Sequence, residues 1–185
     1  RKKSRTKTER KNMRKCLTTI MLALFLSCCS AKQKVGSVQD QIIDAPSKVS
    51  ALHGQFNLPG PFSRTLQGVN DFVNSFDYQP DSDGVWKTPE QFFQNQGGDC
   101  EDFAVVKYHY LKNTHAVEIL VGHLKNSHTE EGDPNYAHAV LLVDGKWVLD
   151  SMTNKLLSFR KYHENFRVFY SVTVSGLRLQ DREGG

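Results

Sequence analysis

One thiol stands among three carboxylates in the run Gly97-Gly98-Asp99-Cys100-Glu101-Asp102. An apolar pattern with helical spacing follows at Phe103, Ala104, Val105, Val106, Tyr108 and Leu111. That order predicts a loop turning into a helix, with Cys100 in its first turn and an end near Asn113. Helix N-termini present unpaired N–H groups and partial positive charge. A cysteine placed there is expected to have a lowered pKa and to serve as a nucleophile. The flanking carboxylates work the other way, because like charge disfavours a thiolate. A divalent cation on Asp99 and Glu101 would offset them, and calcium is a hard ion suited to carboxylate oxygens. For Asp102, capping the helix or forming a salt bridge is the structural use open to it.

A thiol nucleophile needs a base, and the base needs a partner that orients it. His138 lies inside the apolar run Tyr136-Ala137-His138-Ala139-Val140-Leu141-Leu142, and Asp150 ends Trp147-Val148-Leu149-Asp150. A polar side chain in such a run needs a partner, and each can be the other's. With a two-residue Asp144-Gly145 loop the two would point to opposite faces of a hairpin. With a three-residue loop, Val143-Asp144-Gly145, Leu142 pairs with Lys146 and His138 lies directly opposite Asp150. Gly145 suits the left-handed third position of that loop, so the three-residue loop is expected. A satisfied core histidine and a strand-end aspartate are the structural alternatives. The remaining histidines, His53, His109, His115, His123, His128 and His163, have no comparable surroundings, and His123 and His128 lack zinc-ligand spacing.

The elements that must hold these residues can be traced along the chain. Leu66, Val69, Phe72, Val73 and Phe76 follow the spacing of an amphipathic helix. Thr88-Pro89-Glu90 starts a short helix, with Thr88 as cap and Pro89 at its first position. Strands are expected at Val117–Val121, Tyr136–Val143, Lys146–Asp150 and Phe166–Val174, with a polar loop over Asn126–Asn135. Helices first and antiparallel strands after indicate an α+β fold, the Cys100 helix packing on the sheet.

Residues 1–15 hold nine Lys/Arg and one Glu, a charge of +8, and the apolar run Cys16–Leu26 follows. A basic stretch, a short apolar stretch and small residues form an export signal over residues 1–29. Met13 is a compact start for it, and Cys28 or Cys29 is placed for lipidation, which would anchor the chain to a membrane. The run is too short to span a bilayer as a helix. The whole chain carries +4, so the remainder is −4 and nothing favours nucleic-acid binding. Residues 30–50 read as a tether, and residues 51–185 as one domain. That domain contains a single cysteine, Cys100. A lone thiol in an oxidising compartment is either inert or kept for reactivity, and its polar neighbours favour reactivity.

At these residues the chain resembles the bacterial transglutaminase-like cysteine proteinases, which include the LapG-type periplasmic proteases. The likeness runs from about Leu66 to Leu157. It rests on Trp86-Lys87-Thr88-Pro89-Glu90, on Gly97-Gly98-Asp99-Cys100-Glu101-Asp102-Phe103-Ala104 with Lys107-Tyr108, on His138-Ala139-Val140-Leu141 and on Leu149-Asp150. Ser151 stands where the family commonly has Asn. The resemblance implies a papain-like core, a Cys100–His138–Asp150 triad, and calcium held near Asp99 and Glu101. It also implies a periplasmic enzyme that cuts the N-terminal region of a large surface adhesin and releases cells from biofilm. The partner it implies is an inner-membrane receptor for cyclic di-GMP that sequesters the protease.

The expected chemistry is peptide hydrolysis. The Cys100 backbone N–H would serve as one oxyanion donor. Gln91, Gln94 and Gln96 are near in sequence, but their spacing does not select a second. Two other readings stay open: a transglutaminase-type acyl transferase using the same thioester, and a calcium-dependent binding module without turnover.

Overall fold

The computed structural model describes residues 45–60, 63–80, 84–125 and 137–179. The export signal, the lipidation cysteines and the loop Asn126–Asn135 lie outside them. Helix α1 (Ala45–Leu52) comes first, within a segment the sequence suggested was tether. It is drawn into the core by Ala51 and Leu52, both buried. Helix α2 (Leu66–Val73) is capped by Thr65, whose side chain accepts the Gly68 N–H. Strand β1 (Asp77–Tyr78) follows. Helix α3 (Pro89–Asn95) starts where the sequence placed it: Thr88 and Gln91 form a reciprocal capping box with Pro89 in the first turn. Strand β2 (Gly97–Gly98) leads directly into α4 (Cys100–Leu111).

The second half supplies strands β3 (Val117–Leu124), β4 (Ala137–Val143), β5 (Trp147–Asp150) and β6 (Thr153–Ser158), the short helix α5 (Phe159–Tyr162), and strands β7 (Phe166–Thr173) and β8 (Gly176–Leu179). They form a six-stranded sheet in the order β6-β5-β4-β3-β7-β8, and every pairing in it is antiparallel. The alternation of side chains along β4 divides the core. Ala139, Leu141 and Val143 pack with Phe103, Val106 and Leu111 of α4. Val140 and Leu142 face the other way and join Leu120, Val148, Tyr162 and Phe166 in a smaller cluster.

The hairpin register differs from the expected one. Val143 pairs with Trp147, Leu142 with Val148 and Leu141 with Leu149. The loop is therefore Asp144-Gly145-Lys146, shifted by one residue from the loop the glycine position suggested. Val143 is kept in the strand because it also pairs with Val117 on β3. Asp144 takes the left-handed conformation itself, with φ 53°. Its carboxylate accepts the Ala116 N–H at 3.0 Å and meets His115 Nδ1 at 2.8 Å. His138 and Asp150 are thus diagonal neighbours rather than directly opposed. The shift moves the sum of paired positions by two, so both side chains stay on one face of the sheet.

Gly97 lets β1 approach the helix start, and Gly98 makes room for the Asp102 side chain. β1 pairs in parallel with β2, Asp77 with Gly97 and Tyr78 with Gly98. A Cβ on Gly97 (φ 153°) would lie 1.9 Å from the Asp77 carbonyl oxygen, and one on Gly98 would lie 2.3 Å from Asp102 Oδ2. No side chain larger than hydrogen fits either place.

Candidate active site

Asp102 fixes the start of α4. Its carboxylate accepts the Lys87 N–H at 2.8 Å, Lys87 Nζ at 2.7 Å and the Asp99 N–H at 3.2 Å. It is fully buried, so its use is structural, as a capping group and ion-pair partner that ties the segment before α3 to the start of α4.

Cys100 occupies the first position of α4, 7 % exposed. Its thiol donates to Glu101 Oε2 at 3.1 Å, and the Ala139 backbone N–H points at the sulfur. The sulfur therefore sits against β4 one residue beyond His138. The expectation of a lowered pKa is overturned. Burial pushes the thiol well above its ordinary value, the charges of Glu101 and Asp99 add to this, and the hydrogen bond to Glu101 adds again. The Ala139 N–H pulls the other way without prevailing. Desolvation and two adjacent carboxylates outweigh the partial charge of a helix end.

On β4, His138 Nε2 meets Asp150 Oδ1 at 2.8 Å, so Nδ1 is the ring nitrogen left for other work. The edge of the Phe166 ring meets the imidazole at 6.4 Å between centroids, the planes at 90°. Asp150 accepts two further hydrogen bonds, the Met152 N–H on Oδ1 at 2.9 Å and the Tyr162 hydroxyl on Oδ2 at 2.9 Å. Burial would push this carboxyl up, but the contacts with His138, the Met152 N–H and Tyr162 hold it below its ordinary value. The backbone here is fastened to α2. Asn74 donates to the Asp150 and Thr153 carbonyls at 2.9 and 3.0 Å, Asn70 to Thr153 at 3.0 Å, and Gln67 to the Asn154 carbonyl at 2.6 Å.

The structure thus joins His138 to Asp150 and sets Cys100 against the strand that carries His138. Asp99, buried, and Glu101, half-buried, flank Cys100 in the chain. Among the described residues no three His, Cys, Asp or Glu side chains converge on one point. The donor chemistry still suits calcium: Asp99 and Glu101 are hard carboxylates, and both lie near enough to the thiol to raise its pKa. The rest of a shell of roughly six to eight oxygens would come from backbone carbonyls and water. Gln91 and Gln96 are committed elsewhere. Gln91 Oε1 accepts the Thr88 N–H at 2.8 Å and Gln96 Nε2 donates to the Phe93 carbonyl at 2.6 Å. His109 holds the Ala51 carbonyl at 2.9 Å, and burial lowers its pKa to about 4. It fastens α1 to α4.

Sequence reading missed Tyr162, whose hydroxyl completes the Asp150 shell, and Tyr78. The Tyr78 ring stacks on Phe103 of α4, 6.3 Å between centroids at 29°. Its hydroxyl interacts with Cys100. Burial of the phenol, then the negative charges of Cys100, Asp99 and Glu101, push its pKa up and keep it protonated. Tyr78 belongs to a two-residue strand that leaves no periodic signal.

Residues 44–171 match the model of the bacterial transglutaminase-like cysteine proteinase family. Among solved structures, the chain is 29% identical to Legionella pneumophila LapG treated with EGTA, with a TM-score of 0.54, covering 72% of this chain and 73% of that one. It is 27% identical to calcium-bound LapG of the same organism, again with a TM-score of 0.54, covering 82% and 84%. A search of curated proteins gives no match. The fold has the transglutaminase-like arrangement of these neighbours; in this chain a helix that starts at Cys100 lies on an antiparallel sheet. With its cysteine helix and histidine strand inside the matched span, the chain belongs to the bacterial transglutaminase-like cysteine proteinases.

Proposed function

We propose that this protein is a calcium-dependent cysteine endopeptidase working through Cys100, His138 and Asp150. The observation that carries the reading is the 2.8 Å contact of His138 Nε2 with Asp150, on the strand whose Ala139 N–H points at the Cys100 sulfur. Cys100 attacks a peptide carbonyl, and His138 Nδ1 takes the thiol proton and later delivers it to the leaving amine. Asp150 fixes the ring and stabilises its charged form. Water then hydrolyses the thioester. Calcium, carried by Asp99 and Glu101, would supply the positive charge that the neighbourhood of the thiol lacks. The calcium-bound LapG structure supports this part of the reading.

The substrate we propose is the N-terminal region of a large exported adhesin, met in the periplasm. An inner-membrane cyclic di-GMP receptor would hold the protease in check. This follows the family resemblance. The test is cleavage of such an adhesin fragment by the purified protein with calcium and with a chelator present, alongside C100S and H138A. Calcium-dependent cleavage lost in both variants is expected. Cleavage that survives C100S, or a calcium-loaded protein that cuts no adhesin fragment or unfolded protein, would overturn the proposal. A labelled amine in the reaction separates hydrolysis from acyl transfer.

A further inference from the structure

We propose that the Tyr78 hydroxyl is the second oxyanion donor, acting with the Cys100 backbone N–H on the carbonyl oxygen of the bond being cut. This rests on the peptidase reading above. Three placements converge on it. β1 is locked beside the start of α4: the Asp77 N–H donates to the Gln96 carbonyl at 3.1 Å and the Gln79 N–H to the Gly98 carbonyl at 2.7 Å, with Tyr78 paired to Gly98 between them. The ring lies on Phe103, in the first turn of α4. The phenol end reaches the thiol while the side chain as a whole stays 56% exposed. An aromatic residue so exposed gains little from burial, yet its polar tip is held at the nucleophile. The same geometry gives Gly97 its reason. Gly97 admits no Cβ because the Asp77 carbonyl of β1 passes there, and β1 carries Tyr78 to the site.

In the attack, the sulfur forms a bond to the carbonyl carbon and the π pair moves onto oxygen. The thiol proton goes to His138 Nδ1. Collapse of the intermediate restores the carbonyl and breaks the C–N bond, and the nitrogen takes the proton from His138. Tyr78 gains and loses none. It donates a hydrogen bond that strengthens as charge grows on the oxygen, the condition for lowering the barrier rather than tightening ground-state binding. Gln91 and Gln96 are less suited, since Gln96 donates its amide N–H to the Phe93 carbonyl and Gln91 is held at the start of α3 by accepting the Thr88 N–H.

The test is Y78F in the calcium-loaded full chain, read by peptide hydrolysis and by iodoacetamide alkylation of Cys100. Alkylation passes through no oxyanion. The expected result is kcat down by roughly 100- to 1,000-fold, KM changed less than about threefold, and an alkylation rate within twofold of wild type. Hydrolysis unchanged or faster in Y78F would overturn the proposal. So would an equal drop in kcat and alkylation, which would make Tyr78 a modulator of the thiol. If the wild-type protein alkylates but hydrolyses nothing, the peptidase reading fails instead, and that outcome is visible before Y78F is made.

Discussion

Replacing Tyr162 with Phe removes one hydroxyl from a site that is otherwise fully engaged. The Asp150 carboxylate is 4% exposed and accepts three hydrogen bonds. His138 and the Met152 N–H share Oδ1, and Tyr162 serves Oδ2. Hydrogen bonds to charged groups contribute roughly 1.5–3 kcal/mol. Burial leaves little water to take over at Oδ2, so a loss of about 2–3 kcal/mol is expected, a fall in Tm of roughly 6–10 °C. The sign of the pH dependence follows from Asp150. Its folded pKa is held below the unfolded value, so its stabilising contribution is present above the unfolded value of about 3.9. It is lost as pH falls through the folded pKa. Without Tyr162 the folded pKa rises, and the variant loses that contribution at a higher pH. Thermal melts of the two proteins from pH 7 down should therefore converge in acid. On the proposed mechanism, in which Asp150 orients His138, kcat should fall by roughly 10- to 100-fold, the cost typical of losing a group that orients a functional side chain. A Tm difference that stays constant from pH 7 to the acid limit, or a kcat equal to wild type, would refute the role assigned to Tyr162.

Lys107→Met should stabilise the protein at neutral pH. The Lys107 side chain is 1% exposed and has no hydrogen-bond partner among the described residues; burial lowers its pKa to about 7 against the pull of Asp150. The native state thus resists a proton that the unfolded chain accepts, and the penalty builds up as pH falls from about 10 to about 7. Denaturant melts should show a gain of a few kcal/mol near pH 6 that shrinks toward pH 10. Gly97→Ala should cost roughly 2–4 kcal/mol, since its Cβ would meet the Asp77 carbonyl, and calorimetry reads the loss. Asp150→Asn should leave a folded protein whose kcat is down by about a thousandfold or more, because the imidazolium loses its counter-charge. Equal kcat in that variant would remove Asp150 from the mechanism.

The cysteine helix, the short helix before it and the hairpin strands were legible because each rests on a local rule: Thr88 as cap with Pro89 behind it, a glycine pair before an apolar helical pattern, apolar runs on either side of a turn. The join of His138 to Asp150 was legible too, although the register behind it was not. Gly145 pointed to one loop, but pairing of Val143 with Val117 across β3 decided another, and no local signal carries that. The contact survived because face depends only on parity, and the shift was even. What the sequence hid were partners from distant segments. The apolar stripe of α2 was plain, yet Gln67, Asn70 and Asn74 form an amide stripe beside it that holds the turn after Asp150. Tyr78 and Tyr162 sit on elements of two and four residues, too short for any periodicity to show.

The electrostatics of Cys100 give a prediction whose two arms have opposite signs. Glu101 raises the thiol pKa both through its charge and by accepting the thiol's hydrogen bond. If its carboxylate only opposed the nucleophile, Glu101→Gln would help under all conditions. If it also carries calcium, the substitution helps only when calcium is absent. In a chelator, E101Q should alkylate with iodoacetamide faster than wild type at pH 7, because a repulsive charge is gone and the pH midpoint of alkylation moves down. With calcium added, wild type should accelerate and overtake E101Q, which has lost a ligand. The curves must cross between the two conditions. An E101Q protein that is faster with and without calcium would show that Glu101 holds no cation. One that is slower in both would show that its carboxylate supports the thiolate, contrary to the charges drawn here.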